Sequence, residues 1–359
     1  MKTKKVVFTL LSMVVLLGLL ICCAPKAEPT PQTKEPTIKL LWACYRTPGD
    51  PRAAVYEHFC SRIEEETKGR VKITISYAEQ IIKAPQEYDA VVSGTVDMAA
   101  PVVAYVAGRL QIPAMLCEAG YWQEPGDSLV IMSRLREPLS RMFEKDGAKF
   151  LGWGAEVAPQ SLACNTRLIK LPSDCKGLKI RAGGIGVLAI NAWGGTGVAL
   201  PNSEIYMALQ TGVIDGTLLG PDTMGELRIW EVAEYFTYIP GGGIPTPVLI
   251  NLKKWESLPD DVKQVFEEVS REMAPWSYER SRAVLADIVA DLETKFKESY
   301  TIPEKDRDHF SEATKGFYWK STVDRLGAPA QEFWNAILSA ADECAAARAR
   351  GETPRFFED

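Results

Sequence analysis

The segment 176-KGLKIRAGGIGVLAINAWGGTGVALPNSEIYMALQTGVIDGTLL-219 reads as strand, helix, strand, helix, strand. Leu178–Arg181 is a short strand, and the glycines after it mark a strand-to-helix turn. Val187–Trp193 fits a helix, Val198–Leu200 a strand and Ser203–Gln210 a second helix. Gly212 stands where a C-terminal cap belongs, ahead of the strand Val213–Leu219. Strands alternating with helices in this way predict an α/β sheet.

The pattern extends in both directions. Upstream, Thr37–Ala43 reads as a strand, and Asp50-Pro51 opens a helix with Val55, Phe59 and Ile63 on one face. Val71–Ser76 alternates as a strand, 85–93 fits a helix ending at Gly94, and Val96–Val103 reads as another strand. Lys149–Trp153 and Ser161–Asn165 are further strands. Tyr88-x-Ala90-x3-Gly94-x2-Asp97 has the same spacing as Tyr206-x-Ala208-x3-Gly212-x2-Asp215, which suggests two related lobes. Beyond Leu258 the chain turns helical. Val262, Val265, Phe266 and Val269 form one stripe, and Val284, Ile288, Leu292 and Phe296 another. They predict a long helix, or a pair kinked at Pro275, reaching Ser299 and lying across both lobes. A last helix covers Ala328–Arg350, and 351–359 is a polar tail.

Composition narrows the class. Hydrophobic residues make up 46% and charged residues 25%, which excludes a disordered or fibrous chain. Lys2, Lys4 and Lys5 precede an apolar run, Val6–Ile21, too short to span a bilayer and suited to a secretory signal. The run ends at Leu20-Ile21-Cys22-Cys23, which resembles a bacterial lipobox. Cys23 is the expected lipidation site and Cys22 the second choice, and 23–36 is a tether. The net charge of −6 becomes more negative without the signal lysines, which excludes a nucleic-acid binder. The six later cysteines are scattered without a C-x-x-C pair, and Cys164 and Cys175 are the only close two. His58 and His309 have no partner at metal-ligand spacing, and no nucleophile elbow or Walker loop is present. Gly184-x-Gly186-x-x-Ala189 matches a dinucleotide fingerprint only superficially, since it lies mid-chain in an exported protein. The physical content of that turn is exposed backbone N–H groups, which suit an anion. Arg181 stands at the C-terminal end of its strand, where open α/β sheets bind ligands, and its planar fork matches a carboxylate.

Lys176–Arg181, Gly194–Pro201 and Ser203–Gly216 together resemble the solute-binding proteins of tripartite ATP-independent periplasmic (TRAP) transporters. Gly69–Ile73, Ser93–Met98 and Asn251-Leu-x-x-Trp255-x-x-Leu-Pro259 fit the same family. The resemblance implies an α/β, two-lobe periplasmic binding protein fold with a long helix spanning both lobes. It implies capture of a small organic acid, a carboxylate, and its delivery to membrane permease subunits, without catalysis and without a cofactor. Arg181 matches the arginine that clamps the carboxylate in that family, and Gln160 a glutamine found in its keto-acid binders. An envelope enzyme or a sensory ligand-presenting protein on the same fold is the alternative.

Departures from the family pattern refine the expectation. Where cation-assisted keto-acid binders carry Glu-Trp, this chain has Thr217-Leu218-Leu219, so no metal is expected. The leucines make the cleft more apolar, and Gly241–Gly243 leave room, so a larger monocarboxylate is favoured over a C4-dicarboxylate. Tyr45, Arg46 and Trp122 follow first-lobe strand or apolar runs and complete the expected ligand-binding set with Thr217 and Leu218. The expected division is a signal peptide at 1–22, a first lobe of 37–158 plus about 247–285, and a second of 159–246 plus about 286–350. A monomer in the periplasm, or lipid-anchored on the outer face of the cell membrane, is expected.

Overall fold

The computed structural model describes residues 36–357, apart from 51, 120–122 and 158–159. The signal segment, the tether with Cys23, and Trp122 therefore lie outside the described residues. The first part of the chain runs β1 (Ile38–Ala43), α1 (Ala53–Glu66), β2 (Val71–Ser76), α2 (Glu87–Ser93) and β3 (Met98–Ala99). It continues with α3 (Met115–Ala119), α4 (Asp127–Arg134), α5 (Arg136–Asp146) and β4 (Ala148–Val157). Next come β5 (Ser161–Cys164), β6 (Lys179–Ala182), α6 (Gly186–Ala192), β7 (Thr196–Ala199), α7 (Ile205–Gln210), β8 (Gly216–Leu219) and α8 (Pro221–Glu226). The chain then forms β9 (Tyr235–Tyr238), β10 (Ile244–Asn251), α9 (Leu252–Glu256), α10 (Asp260–Lys295) and β11 (Glu298–Thr301). It ends in α11 (Glu304–Thr314), α12 (Trp319–Leu326) and α13 (Ala328–Ala349).

The strands form two sheets, ordered β2-β1-β3-β10-β4 and β11-β9-β5-β8-β6-β7. Each sheet has its own buried core. Trp42, Phe59, Trp153 and Phe266 centre the first, while Phe236 stacked on Phe296 and Trp193 against Phe310 mark the second. Three connections join the sheets: β4 to β5, β9 to β10, and α10.

Helix α10 runs through Pro275 as one element. Val262, Phe266, Val269 and Met273 enter the first core, and Leu285, Val289 and Leu292 the second. The expected two stripes are thus one helix lying across both lobes. It ends at Lys295, and the next residues pair with β9 as β11 rather than prolonging the helix.

The sequence match between the halves has a shared bonding pattern. Gly94 and Gly212 have φ of 78° and 71°, in the left-handed region that ends a helix and favours glycine. The Asp97 carboxylate accepts the Leu41 N–H at 2.8 Å, and the Asp215 carboxylate accepts the Lys179 N–H at 2.8 Å. In both copies the aspartate N–H returns a bond to the same residue's carbonyl. The tyrosines are not equivalent: Tyr88 is buried and donates to Asp146, whereas Tyr206 is half-buried and donates to Glu231.

Some expectations change. The strand read over Val96–Val103 shrinks to Met98–Ala99, and a 3-10 turn occupies Val103–Val106. The last helix was grouped with the second lobe, but α13 contributes Phe333, Trp334, Ile337 and Cys344 to the first core. Cys164 and Cys175 are buried, free thiols. Among the described residues, no helix is long and apolar enough to cross a membrane.

Candidate functional site

Arg181 is the next-to-last residue of β6, flanked in register by Val198 of β7 and Thr217 of β8. It is 1% exposed. Its Nε donates to the Leu200 carbonyl at 2.9 Å, and its Nη2 donates to Asn202 Oδ1 at 2.8 Å and to Tyr105 Oη at 3.2 Å. All three acceptors are neutral. Among the described residues, no carboxylate forms an ion pair with this guanidinium. A buried cation without a counter-charge is costly, so the geometry holds Arg181 ready for an anion.

The guanidinium borders a cavity of about 40 Å³ between the lobes, room for about three waters. Gln160, Leu218 and Thr223 line it from the second lobe, and Tyr45, Tyr105 and Ile244 from the first. Tyr45 is 9% exposed, and its hydroxyl has no hydrogen-bond partner. Burial raises the Tyr45 phenol above its ordinary pKa, so it stays a neutral donor.

Four expected residues therefore meet at one cavity: Arg181, Gln160, Tyr45 and Leu218. Thr217 pairs beside Arg181 in the sheet and is fully buried, but it does not line the cavity. Arg46 departs from its expected role as a second ligand-binding cation. Its guanidinium is 1% exposed and engaged by Asp50 at 2.6 Å, Asp222 at 3.1 Å and the Glu156 carbonyl at 3.3 Å.

The expected roominess also changes. Gly241 and Gly242 border a separate space of about 10 Å³ beside Trp193 and Phe310. The Gly243 N–H donates to Glu156 Oε1 at 2.9 Å, so it is committed to holding that acid. Glu156 also accepts from Ser128 Oγ at 2.6 Å and the Gly126 N–H at 3.0 Å, which ties β4 to both flanking segments.

The glycine turn after Arg181 serves close packing. A Cβ on Gly184 would lie 2.2 Å from the Ala104 carbonyl oxygen, and one on Gly183 would lie 2.9 Å from Tyr105 Oη. The first-lobe turn Val103–Val106 sits against β6–α6 at this point, and Ile185 packs into the first core. Tyr105 and Asn202 were not anticipated from the sequence. The only available signal was their place just after a strand expected in each lobe.

Comparison with known proteins follows the same lines. The profile of bacterial extracellular solute-binding protein family 7 (DctP) matches residues 43–323. A monocarboxylate 2-oxoacid-binding periplasmic protein of a Nostoc species is 29% identical over 232 residues, covering 60% of this chain and 60% of that protein. The match thus spans under two thirds of that relative's length. The C4-dicarboxylate-binding periplasmic protein DctP of Rhodobacter capsulatus is 28% identical over 256 residues, covering 70% of this chain and 76% of that protein. A TRAP periplasmic solute-binding protein of Desulfovibrio salexigens, solved with orotic acid, superposes with a TM-score of 0.76 at 22% identity. That superposition covers 85% of this chain and 99% of that one. A Rhodoferax ferrireducens homologue with malonate gives 0.75 at 20% identity, covering 86% and 99%. These likenesses establish the two-lobe fold, and the profile match establishes the family: the chain belongs to bacterial extracellular solute-binding protein family 7.

Proposed function

We propose that the protein is the solute receptor of a TRAP transporter, capturing a small organic acid and handing it unchanged to membrane permease subunits. One observation carries this reading: Arg181 is buried beside an interlobe cavity, oriented by three neutral acceptors and paired with no carboxylate among the described residues. A ligand carboxylate supplies the missing charge through charge-assisted hydrogen bonds. Tyr45 and Gln160 meet the remainder of the ligand, and Leu218 and Ile244 give it an apolar wall. The names of the relatives support the ligand class, since they include 2-oxoacid and C4-dicarboxylate binders. The cavity of about 40 Å³ favours a small acid over a bulky one.

Export and tethering follow from the sequence in this reading. The lysine-led apolar segment directs secretion, Cys23 carries the lipid, and the proline-rich 23–36 spans from the membrane to the folded body.

A thermal-shift screen of small organic acids against the purified protein tests the proposal. A ligand that binds only the folded state stabilises it by about 2.7 kcal/mol at a hundredfold excess over Kd. At least one carboxylate should raise Tm in a concentration-dependent way, and the corresponding amide should not. A panel in which amides and sugars stabilise but no acid does would overturn the reading.

A further inference from the structure

Behind the cavity wall lies a buried group of charges that carboxylate capture at Arg181 leaves unexplained. Arg46 Nη1 donates to Asp50 and Asp222, and Arg52 Nη1 lies 2.7 Å from the same Asp222 carboxylate oxygen. None of the four side chains exceeds 5% exposure. Asp222 is in α8 of the second lobe, and the other three belong to the first. The group is close to the ligand space. The Arg46 guanidinium carbon sits 5.2 Å from the Tyr45 ring centroid, and Tyr45 lines the cavity. Gly220 and Thr223, on either side of Asp222, line it too.

The charges balance. Two arginines meet two aspartates, and three further acids nearby are held toward their neutral forms. Glu226 is raised by burial and by its hydrogen bond to Asp50, and Glu156 and Glu87 by burial. Among the described residues lining the cavity, Arg181 is the one cationic side chain. Tyr45 lines the same cavity, and its hydroxyl is a neutral hydrogen-bonding group with no partner.

We propose that Asp222 sets the charge of the ligand: by neutralising Arg46 and Arg52 behind Tyr45, it makes the site take monocarboxylates bearing a neutral polar group and reject dicarboxylates. The inference rests on the carboxylate reading above. A second carboxylate entering this cavity would lose its hydration and find the positive charge of Arg46 and Arg52 already matched by Asp50 and Asp222. Without Asp222, the two arginines would carry an unmatched positive charge beside Tyr45, and a diacid would find a second cation.

Calorimetric titration with matched pairs tests this: butanoate against succinate, pentanoate against glutarate, and 2-oxopentanoate against 2-oxoglutarate. The unmodified protein should bind the monoacid of each bound pair at least tenfold more tightly. Asp222→Asn should narrow that ratio below threefold, mainly through a gain for the diacid. Asp222→Glu, which keeps the charge, should hold the original ratio. Combining Asp222→Asn with Arg46→Gln, which restores balance, should return it. Diacids binding as tightly as monoacids to the unmodified protein would overturn the proposal whether or not any variant folds. So would a folded Asp222→Asn with an unchanged ratio. If diacids win while Arg181→Ala abolishes their binding, only the selectivity inference falls. If none of the six acids binds and the broader acid screen is also negative, the carboxylate reading falls with it.

Discussion

Buried ionisable side chains in this protein divide by whether the fold supplies their counter-charge. Arg46 and Arg52 receive theirs from Asp50 and Asp222, whereas Arg181 receives only neutral acceptors. Glu226 is the complementary case, an acid kept protonated. Burial and the adjacent Asp50 push it well above the ordinary carboxylate range, while at Asp50 burial, the largest single effect, is outweighed by the Arg46 guanidinium together with hydrogen bonds from Glu226, the Arg52 N–H and Arg46, and the pKa falls. The folded protein therefore keeps a proton on Glu226 that the unfolded chain releases in the carboxylate range. Its contribution to stability is fully present below that range and is lost as pH rises, at up to about 1.4 kcal/mol per pH unit. Glu118 acts in the same direction up to neutrality. Burial pushes it up to about 7 against the lowering effect of the Gly316, Tyr318 and Trp319 N–H groups. Melting temperature should thus fall between pH 5 and 8.5, and Glu226→Gln, which mimics the protonated acid, should flatten the part above pH 7. Parallel curves for the two proteins would contradict this. Arg181 was legible as a candidate because it ends a strand before a glycine turn. The engagement of Arg46 by Asp222 was not, because the two lie 176 positions apart.

At the scale of elements, the β6–α6 turn is a place where the lobes meet tightly. Gly184→Ala places a methyl group against the Ala104 backbone carbonyl, at a position whose φ of 52° already disfavours a side chain. The backbone oxygen cannot swing aside as a flexible side chain would. The variant should fold with a modest loss of Tm. It should bind its acid at least tenfold more weakly and show a larger radius of gyration in scattering with ligand present. Unchanged affinity would show that this approach is not required for binding. The strand–helix alternation from 176 to 219 was readable because each element buries one face at its own period. β10 was not: Pro245 and Pro247 argue against a strand inside a sheet. They are tolerated because β3 pairs only with Leu249 and Ile250, which leaves the proline-bearing half with β4 alone. β9 and β11 are short, and their pairing joins residues about sixty positions apart, with no local signal to reveal it.

At the scale of the molecule, α10 and two strand crossings hold the lobes around the cavity, and Glu156 fastens both crossings through Gly126, Ser128 and Gly243. Such an architecture permits closure about a few linking residues when a ligand bridges the lobes. Arg181 already contacts Tyr105 across the gap, so ligand capture and lobe approach share one residue. The two-lobe plan and the spanning helix were legible from apolar stripes and the repeated glycine–aspartate spacing. The attachment of α13 to the first core was not, since an alanine-rich helix carries no mark of which lobe it covers. The most direct measurement is calorimetric titration of the acid identified by screening into the unmodified protein, Arg181→Lys and Arg181→Ala, each first shown to be folded by its melting curve. The account predicts partial loss for lysine, which keeps the charge but not the planar fork, and a loss of about 2–5 kcal/mol for alanine. An Arg181→Ala protein that binds the acid as tightly as the unmodified one would contradict it.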